Sequence, residues 1–99
     1  MNTTDVMDNI DVKKNNESLI TINILYFASL ADEAGCHEEK VSIDSSMSLI
    51  DLYTQLSQTH RFSRPQSELR VAVNDYFAKW TDLISDGDNV VFITPVAGG

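Results

Sequence analysis

Leu19-Ile20-Thr21-Ile22-Asn23-Ile24-Leu25-Tyr26-Phe27 is the stretch on which the fold turns. Ile20, Ile22, Ile24 and Tyr26 alternate with Thr21, Asn23, Leu25 and Phe27. A period of two, rich in β-branched and aromatic residues, reads as a strand. One face is apolar throughout. The other begins polar at Thr21 and Asn23 and turns apolar at Leu25 and Phe27. That end therefore either covers core or presents an apolar patch. Near the other end of the chain, Asn89 to Thr94 contains the run Val90-Val91-Phe92-Ile93, a second strongly apolar strand. The two most apolar strands are expected side by side at the centre of a sheet. With a helix between them in sequence, parallel pairing through a right-handed crossover is favoured.

The intervening chain supplies the remaining pieces. Ala28 to Ala34 reads as a short helical turn stopped by Gly35, since glycine readily takes the left-handed conformation that ends helices. Glu38 to Asp44 is a second strand with Val41 and Ile43 on one face. Ser48 to His60 is the one clear helix. Leu49, Leu52, Tyr53 and Leu56 form a single apolar stripe. Ser48 is its N-cap, Asp51 completes an approximate capping box, and His60 suits the C-terminal end of the dipole. Arg61 to Glu68 is a polar loop, Leu69 to Asn74 a third strand, and Tyr76 to Trp80 a short fourth strand or irregular segment. Asp86-Gly87-Asp88 marks a turn before the last strand. The result is a small α+β roll, a mixed sheet covered by one main helix. That is the outline of a β-grasp, the ubiquitin-like roll. Residues 1–18 differ in composition and show no sustained alternation. They are expected to be a disordered extension preceding a single domain over 19–99.

The chain has 99 residues, a formal net charge of −8 and a pI of about 4.4. Such a surface repels phosphate backbones and anionic lipid, so neither nucleic acid nor membrane is an expected partner. No apolar run approaches the roughly 18 residues of a membrane span. The N-terminus shows neither the basic start nor the apolar core of a signal peptide, so a cytoplasmic location is expected. Cys36 is the single cysteine. It has no partner for an internal disulfide and no activating base identifiable in the sequence. Cys36, His37 and His60 lack the companions of a metal site. There is no GxGxxG and no P-loop. Asp86-Gly87-Asp88 is a hairpin turn rather than a calcium loop. Glu38-Glu39 and the Asp82, Asp86 and Asp88 run read as solvated charge.

With no internal active site, attention moves to Pro95-Val96-Ala97-Gly98-Gly99, directly after the last strand. Gly98-Gly99 can thread a narrow channel, and Pro95 stiffens its exit. The tip offers only an α-carboxylate, ionised and unreactive at neutral pH. Activated as an acyl-adenylate by another enzyme, it becomes an electrophile. Sulfide, or a persulfide whose acyl disulfide product is then cleaved by a thiol, can displace AMP and leave a thiocarboxylate, a ready sulfur nucleophile. A frayed terminus is the alternative reading.

Three segments carry a family resemblance: Ile22-Asn23-Ile24-Leu25-Tyr26-Phe27-Ala28 with Leu30, Val71-Ala72-Val73-Asn74, and Leu83 through Phe92 running into Thr94-Pro95-Val96-Ala97-Gly98-Gly99. The chain resembles the MoaD/ThiS sulfur carriers, and among them the MoaD-type small subunit of molybdopterin synthase. The resemblance covers roughly residues 19–99 and implies a β-grasp. It implies that a MoeB-type adenylating enzyme charges Gly99 with ATP, that a sulfur donor protein supplies the sulfur, and that Gly99 becomes a thiocarboxylate. It implies insertion of Pro95, Val96, Ala97 and Gly98 into a MoaE-type large subunit, in a heterotetramer. There sulfur passes to precursor Z, cyclic pyranopterin monophosphate, to form molybdopterin. The small subunit would be a non-catalytic sulfur donor with no permanently bound cofactor. An apolar patch of Phe27, Phe77 and Ile93 would dock both partners. Two departures stand out. Thr94 replaces the first of two prolines, and Ala31-Asp32 stands where a basic residue is common. A ThiS-type carrier for thiamine thiazole synthesis, a ubiquitin-like modifier and a plain interaction module remain open at this point.

Overall fold

The structure, a computed structural model, describes residues 18–94. The expected extension, apart from Ser18, and the tail residues Pro95, Val96, Ala97, Gly98 and Gly99 lie outside the described residues. The elements are β1 (Leu19–Tyr26), α1 (Ala28–Ala34), β2 (Glu38–Asp44), α2 (Leu49–His60), a single 3₁₀ turn (Gln66–Glu68), β3 (Arg70–Val73), β4 (Tyr76–Phe77) and β5 (Asn89–Ile93). The Ser18 carbonyl accepts the Ser45 amide at 2.7 Å.

The five strands form one sheet in the order β2-β1-β5-β3-β4. β1 and β5 pair in parallel, with Ile24 opposite Val90 and Tyr26 opposite Phe92. All other pairings are antiparallel. This is the expected β-grasp: the parallel pair lies inside the sheet, and the α2 stripe of Leu49, Leu52, Tyr53 and Leu56 is buried with the sheet's inner face. That face comprises Ile22, Ile24 and Tyr26 from β1, Ile43 from β2, Val71 from β3, and Val90 and Phe92 from β5. The alternation at period two therefore converts directly into burial.

The α2 start is secured by a reciprocal capping box. The Ser48 hydroxyl accepts the Asp51 amide and the Asp51 carboxylate accepts the Ser48 amide. The helix ends where Arg61 adopts φ 59° and its amide bonds back to the Ser57 carbonyl. At the C-terminus of α1, Gly35 takes φ 76° and donates to the Ala31 carbonyl. A left-handed residue satisfies otherwise orphaned helix carbonyls, and glycine does so without a Cβ penalty.

Two segments depart from the sequence expectation. The loop after α2 is not wholly polar: Phe62 is buried and stacks on Tyr53 at 5.7 Å. The fourth strand stops at Phe77. Trp80 leaves the ladder because its ring stacks on Phe92 (6.0 Å, 6° between planes) and its carbonyl accepts the Ile50 amide.

The Asn74 and Asp86-Gly87-Asp88-Asn89 motifs prove to be one structural device. Asn74 and Asp75 both have positive φ, 51° and 77°, the geometry of a two-residue type I′ hairpin between β3 and β4. The Asn74 side chain accepts from the Asn89 amide and donates to Asp88 Oδ1, both at 2.9 Å. Asp88 in turn accepts the Ser85 amide through Oδ2, and its carbonyl accepts the Asn23 amide. Gly87, at φ 84°, donates its amide to the Thr21 carbonyl. These bonds tie Thr21 and Asn23 of β1 and the start of β5 to the β3–β4 turn.

Candidate functional site

The outer face of the sheet, away from α2, carries the site. Because side chains alternate, burying Tyr26 and Phe92 completely sends their neighbours Phe27, Val91 and Ile93 to the opposite face. The register aligns Leu25 of β1, Val91 of β5, Ala72 of β3 and Phe77 of β4 in one row across that face. Ile93 and Arg70 form the next row toward the tail. Phe27, Ala72, Asp75, Phe77, Val91 and Ile93 line a shallow depression of about 320 Å³. Phe27 is 53% exposed and Phe77 68% exposed.

All three residues of the expected patch, Phe27, Phe77 and Ile93, thus converge on one depression. Large exposed aromatic side chains grouped in this way mark an interaction surface more often than scattered ones do. Phe27 is extended, at φ −126° and ψ 154°, and the next residue, Ala28, takes φ 53°. That left-handed step turns the chain sharply into α1 directly after Phe27. On the other side, Ile93 is followed by Thr94 and then by the tail. The depression therefore sits at the root of the C-terminal segment.

Behind the patch lies a polar cluster. The fully buried Tyr26 donates its hydroxyl to Glu39 Oε2 at 2.5 Å, and His60 Nε2 meets the same oxygen at 2.8 Å. The Tyr26 ring also packs edge-on against His60 and Phe62. Burial pushes the Tyr26 phenol far above its ordinary range, helped by the Glu39 hydrogen bond and charge. Burial of Glu39 pushes its carboxyl up, but the Tyr26 and His60 hydrogen bonds outweigh it and hold the group below its ordinary value. Tyr26 stays protonated and Glu39 ionised at neutral pH. Glu39 ties the end of α2 to an edge strand and to the strand that carries Phe27.

Among the described residues no group of three or more His, Cys, Asp or Glu is placed to hold a metal. No helix among them is long and apolar enough to cross a membrane. Cys36 is half-buried, packed against the core. A second depression, of about 350 Å³, lies between α2 and the following loop, lined by Tyr53, Ser57, Arg64 and Gln66 among others. It is on the helix side of the domain and shares no residue with the patch.

Residues 24–99 match the ThiS family, a span that runs from the end of β1 through Asn74 and Asp88 to the tail. The chain belongs to the ThiS family. Within that family setting, a curated relative is the molybdopterin synthase sulfur carrier subunit of Mycobacterium tuberculosis. It is 33% identical over 85 residues, covering 82% of this chain and all of that protein. Among solved structures, the small archaeal modifier protein SAMP1 of Haloferax volcanii superposes with a TM-score of 0.68 at 24% identity. It covers 80% of this ThiS-family chain and 99% of its own. A complex of subunits 1 and 2 of the molybdopterin-converting factor from Helicobacter pylori matches with a TM-score of 0.55 and 21% identity, over 81% of this chain and 100% of that one. The two structural likenesses establish the ubiquitin-like fold.

Sequence reasoning missed part of the site in this ThiS-family domain. Glu39 read as solvated charge, yet it is half-buried and doubly bonded. Its position two residues before Val41, on the same strand face, was the available signal. Ala72 and Val91 complete the depression. Val91 was legible from the alternation with Phe92. Ala72 was not, since its burial depends on the neighbouring strand β4.

Proposed function

We propose that this chain is a sulfur carrier of the molybdopterin synthase type. The carrying observation is the 33% identity to a molybdopterin synthase sulfur carrier subunit over that protein's full length. In this reading Gly99 is the working group. An adenylating partner of the MoeB type joins the Gly99 carboxylate to AMP from ATP, releasing pyrophosphate. Sulfide-level sulfur from a donor protein displaces AMP and leaves a thiocarboxylate. Its sulfur then attacks precursor Z within a large subunit of the MoaE type, water cleaves the thioester so formed and returns Gly99 as a carboxylate, and the acceptor groups belong to that subunit. The residues of this chain bind and position. Pro95, Val96, Ala97 and Gly98 carry the tip into each partner's pocket. Phe27, Phe77 and Ile93 dock the partner at the tail's root, where the exposed depression supports the assignment. The Helicobacter pylori complex of subunits 1 and 2 supports a two-subunit assembly; that the assembly is a heterotetramer is part of the proposal.

Intact-mass measurement after co-expression with the adenylating enzyme and a sulfur donor tests this reading. A gain of about 16 Da, sulfur for oxygen at the terminal carboxyl, is expected, and it disappears when Gly99 is deleted. Conjugates to lysines of other proteins, with no such mass gain, would replace the carrier reading with a modifier. Molybdoenzyme activity restored equally by the Gly99 deletion in a complementation assay would also refute it. Thiamine-dependent growth rescue without molybdoenzyme rescue would move the chain to thiazole synthesis.

A further inference from the structure

We propose that Arg70 is a specificity-determining contact of the docking face. The partner surface seated there presents a carboxylate to its guanidinium at the edge of an apolar centre. This rests on the reading that the face around Phe27, Phe77 and Ile93 docks a partner protein.

Arg70 is exposed and stands opposite Ile93 in the β3–β5 register. Its guanidinium carbon lies 5.6 Å from the centroid of the Phe77 ring, within cation–π range. It therefore bridges two of the three large apolar side chains of the patch. The contact leaves the guanidinium in neither ion pair of the described residues, and an arginine fork can bond a carboxylate in two places. The contact also holds a long side chain in one place before the partner arrives, which lowers the ordering cost of binding.

The charge layout of the face says which group is missing. Among the described residues the ion pairs are His60 with Glu39 and Arg64 with Glu68, and neither involves Arg70. The acid on the depression, Asp75, sits in the turn at the far end of β3. The β3–β4 register, continued by the Ala78 amide on the Val71 carbonyl, brings Lys79 level with Arg70. Both cations of this hairpin thus stand at its tail end and the anion at its turn end. The Asp82 carboxylate accepts the Lys79 amide at 3.0 Å, so in a chain of net charge −8 Arg70 is the cation of this edge that stands in neither ion pair. A matching partner has its carboxylate toward the tail and none toward Asp75. Such an arrangement selects register as well as partner.

The competing account is that Arg70 merely covers Phe77 with its stem. Titration of purified MoaE-type large subunit against wild type, Arg70→Gln, Arg70→Lys, Arg64→Gln and Phe27→Ala, each at two salt concentrations, separates them. Arg70→Gln is expected to weaken binding about tenfold or more and to flatten the salt dependence. Arg70→Lys is expected to fall between it and wild type, and Arg64→Gln, on the helix side, to match wild type. Unfolding midpoints of all variants confirm that the domain is intact. Arg70→Gln binding within about twofold of wild type while Phe27→Ala loses binding overturns the Arg70 assignment and leaves the docking face standing. Wild-type binding by both overturns the docking face as well. Equal losses in Arg70→Gln and Arg64→Gln reduce the effect to bulk charge and overturn the specific pairing.

Discussion

Tyr26→Phe tests the cluster behind the docking face. The substitution removes one oxygen and leaves the ring in place. The hydroxyl of this fully buried residue donates to Glu39 at 2.5 Å, and Glu39 also receives His60. A hydrogen bond to a charged group contributes about 1.5–3 kcal/mol. Glu39 is half-buried and retains His60 and some water, which puts the expected loss near the lower end, about 1.5–2 kcal/mol. For a domain of this size that is a fall in Tm of roughly 6–16 °C. Urea unfolding followed by Trp80 fluorescence measures it directly, because Trp80 is stacked on the buried Phe92. The denaturant slope should not change, since no surface is newly exposed. The pH dependence supplies the sign. Glu39 has a folded-state pKa below its unfolded value of about 4.5. Its contribution is therefore complete above the unfolded value and is lost as pH falls through the folded value. The gap between wild type and Tyr26→Phe should shrink as pH is lowered from 7 toward 2.5, because a neutral acid is the weaker acceptor. A gap under about 0.5 kcal/mol at pH 7, or one that stays constant across that range, would refute the cluster's role.

Asn74→Ala should cost about 2–3 kcal/mol by urea unfolding, since it strands the Asn89 amide and Asp88 while forcing alanine into a left-handed position. Asn74→Gly should recover the part due to backbone conformation only. Ser48→Ala should cost about 1 kcal/mol in the same assay through loss of the capping box. Ala28→Gly should raise the unfolding midpoint or leave it unchanged, because φ 53° disfavours alanine; a clear loss would contradict the left-handed turn after Phe27. Phe27→Ala should change stability by less than about 1 kcal/mol, as the side chain is mostly exposed, while weakening large-subunit binding at least tenfold in a direct titration.

The sequence by itself determined the elements and their faces. The Ile22-Ile24-Tyr26 alternation, the Leu49-Leu52-Tyr53-Leu56 stripe and the Val90-Phe92 pair each became buried core. These are local periodicities, and burial follows them because strand and helix geometry force side chains to fixed faces. The parallel pairing of first and last strands followed from their apolarity and the helix between them. Phe27 and Ile93 were legible as outward-facing by the same alternation. What the tertiary structure alone decided is what depends on neighbours across strands. Ala72 is buried because Phe77 stands beside it in the register. Phe62 and Trp80 left polar or irregular stretches for the core because the space beside Tyr53 and Phe92 required aromatic rings. Glu39 acquired two partners from elements distant in sequence. Arg70 came over Phe77 only when β3 and β4 folded back on each other. Periodicity fixes which way a side chain points, whereas register and layer packing fix what it meets.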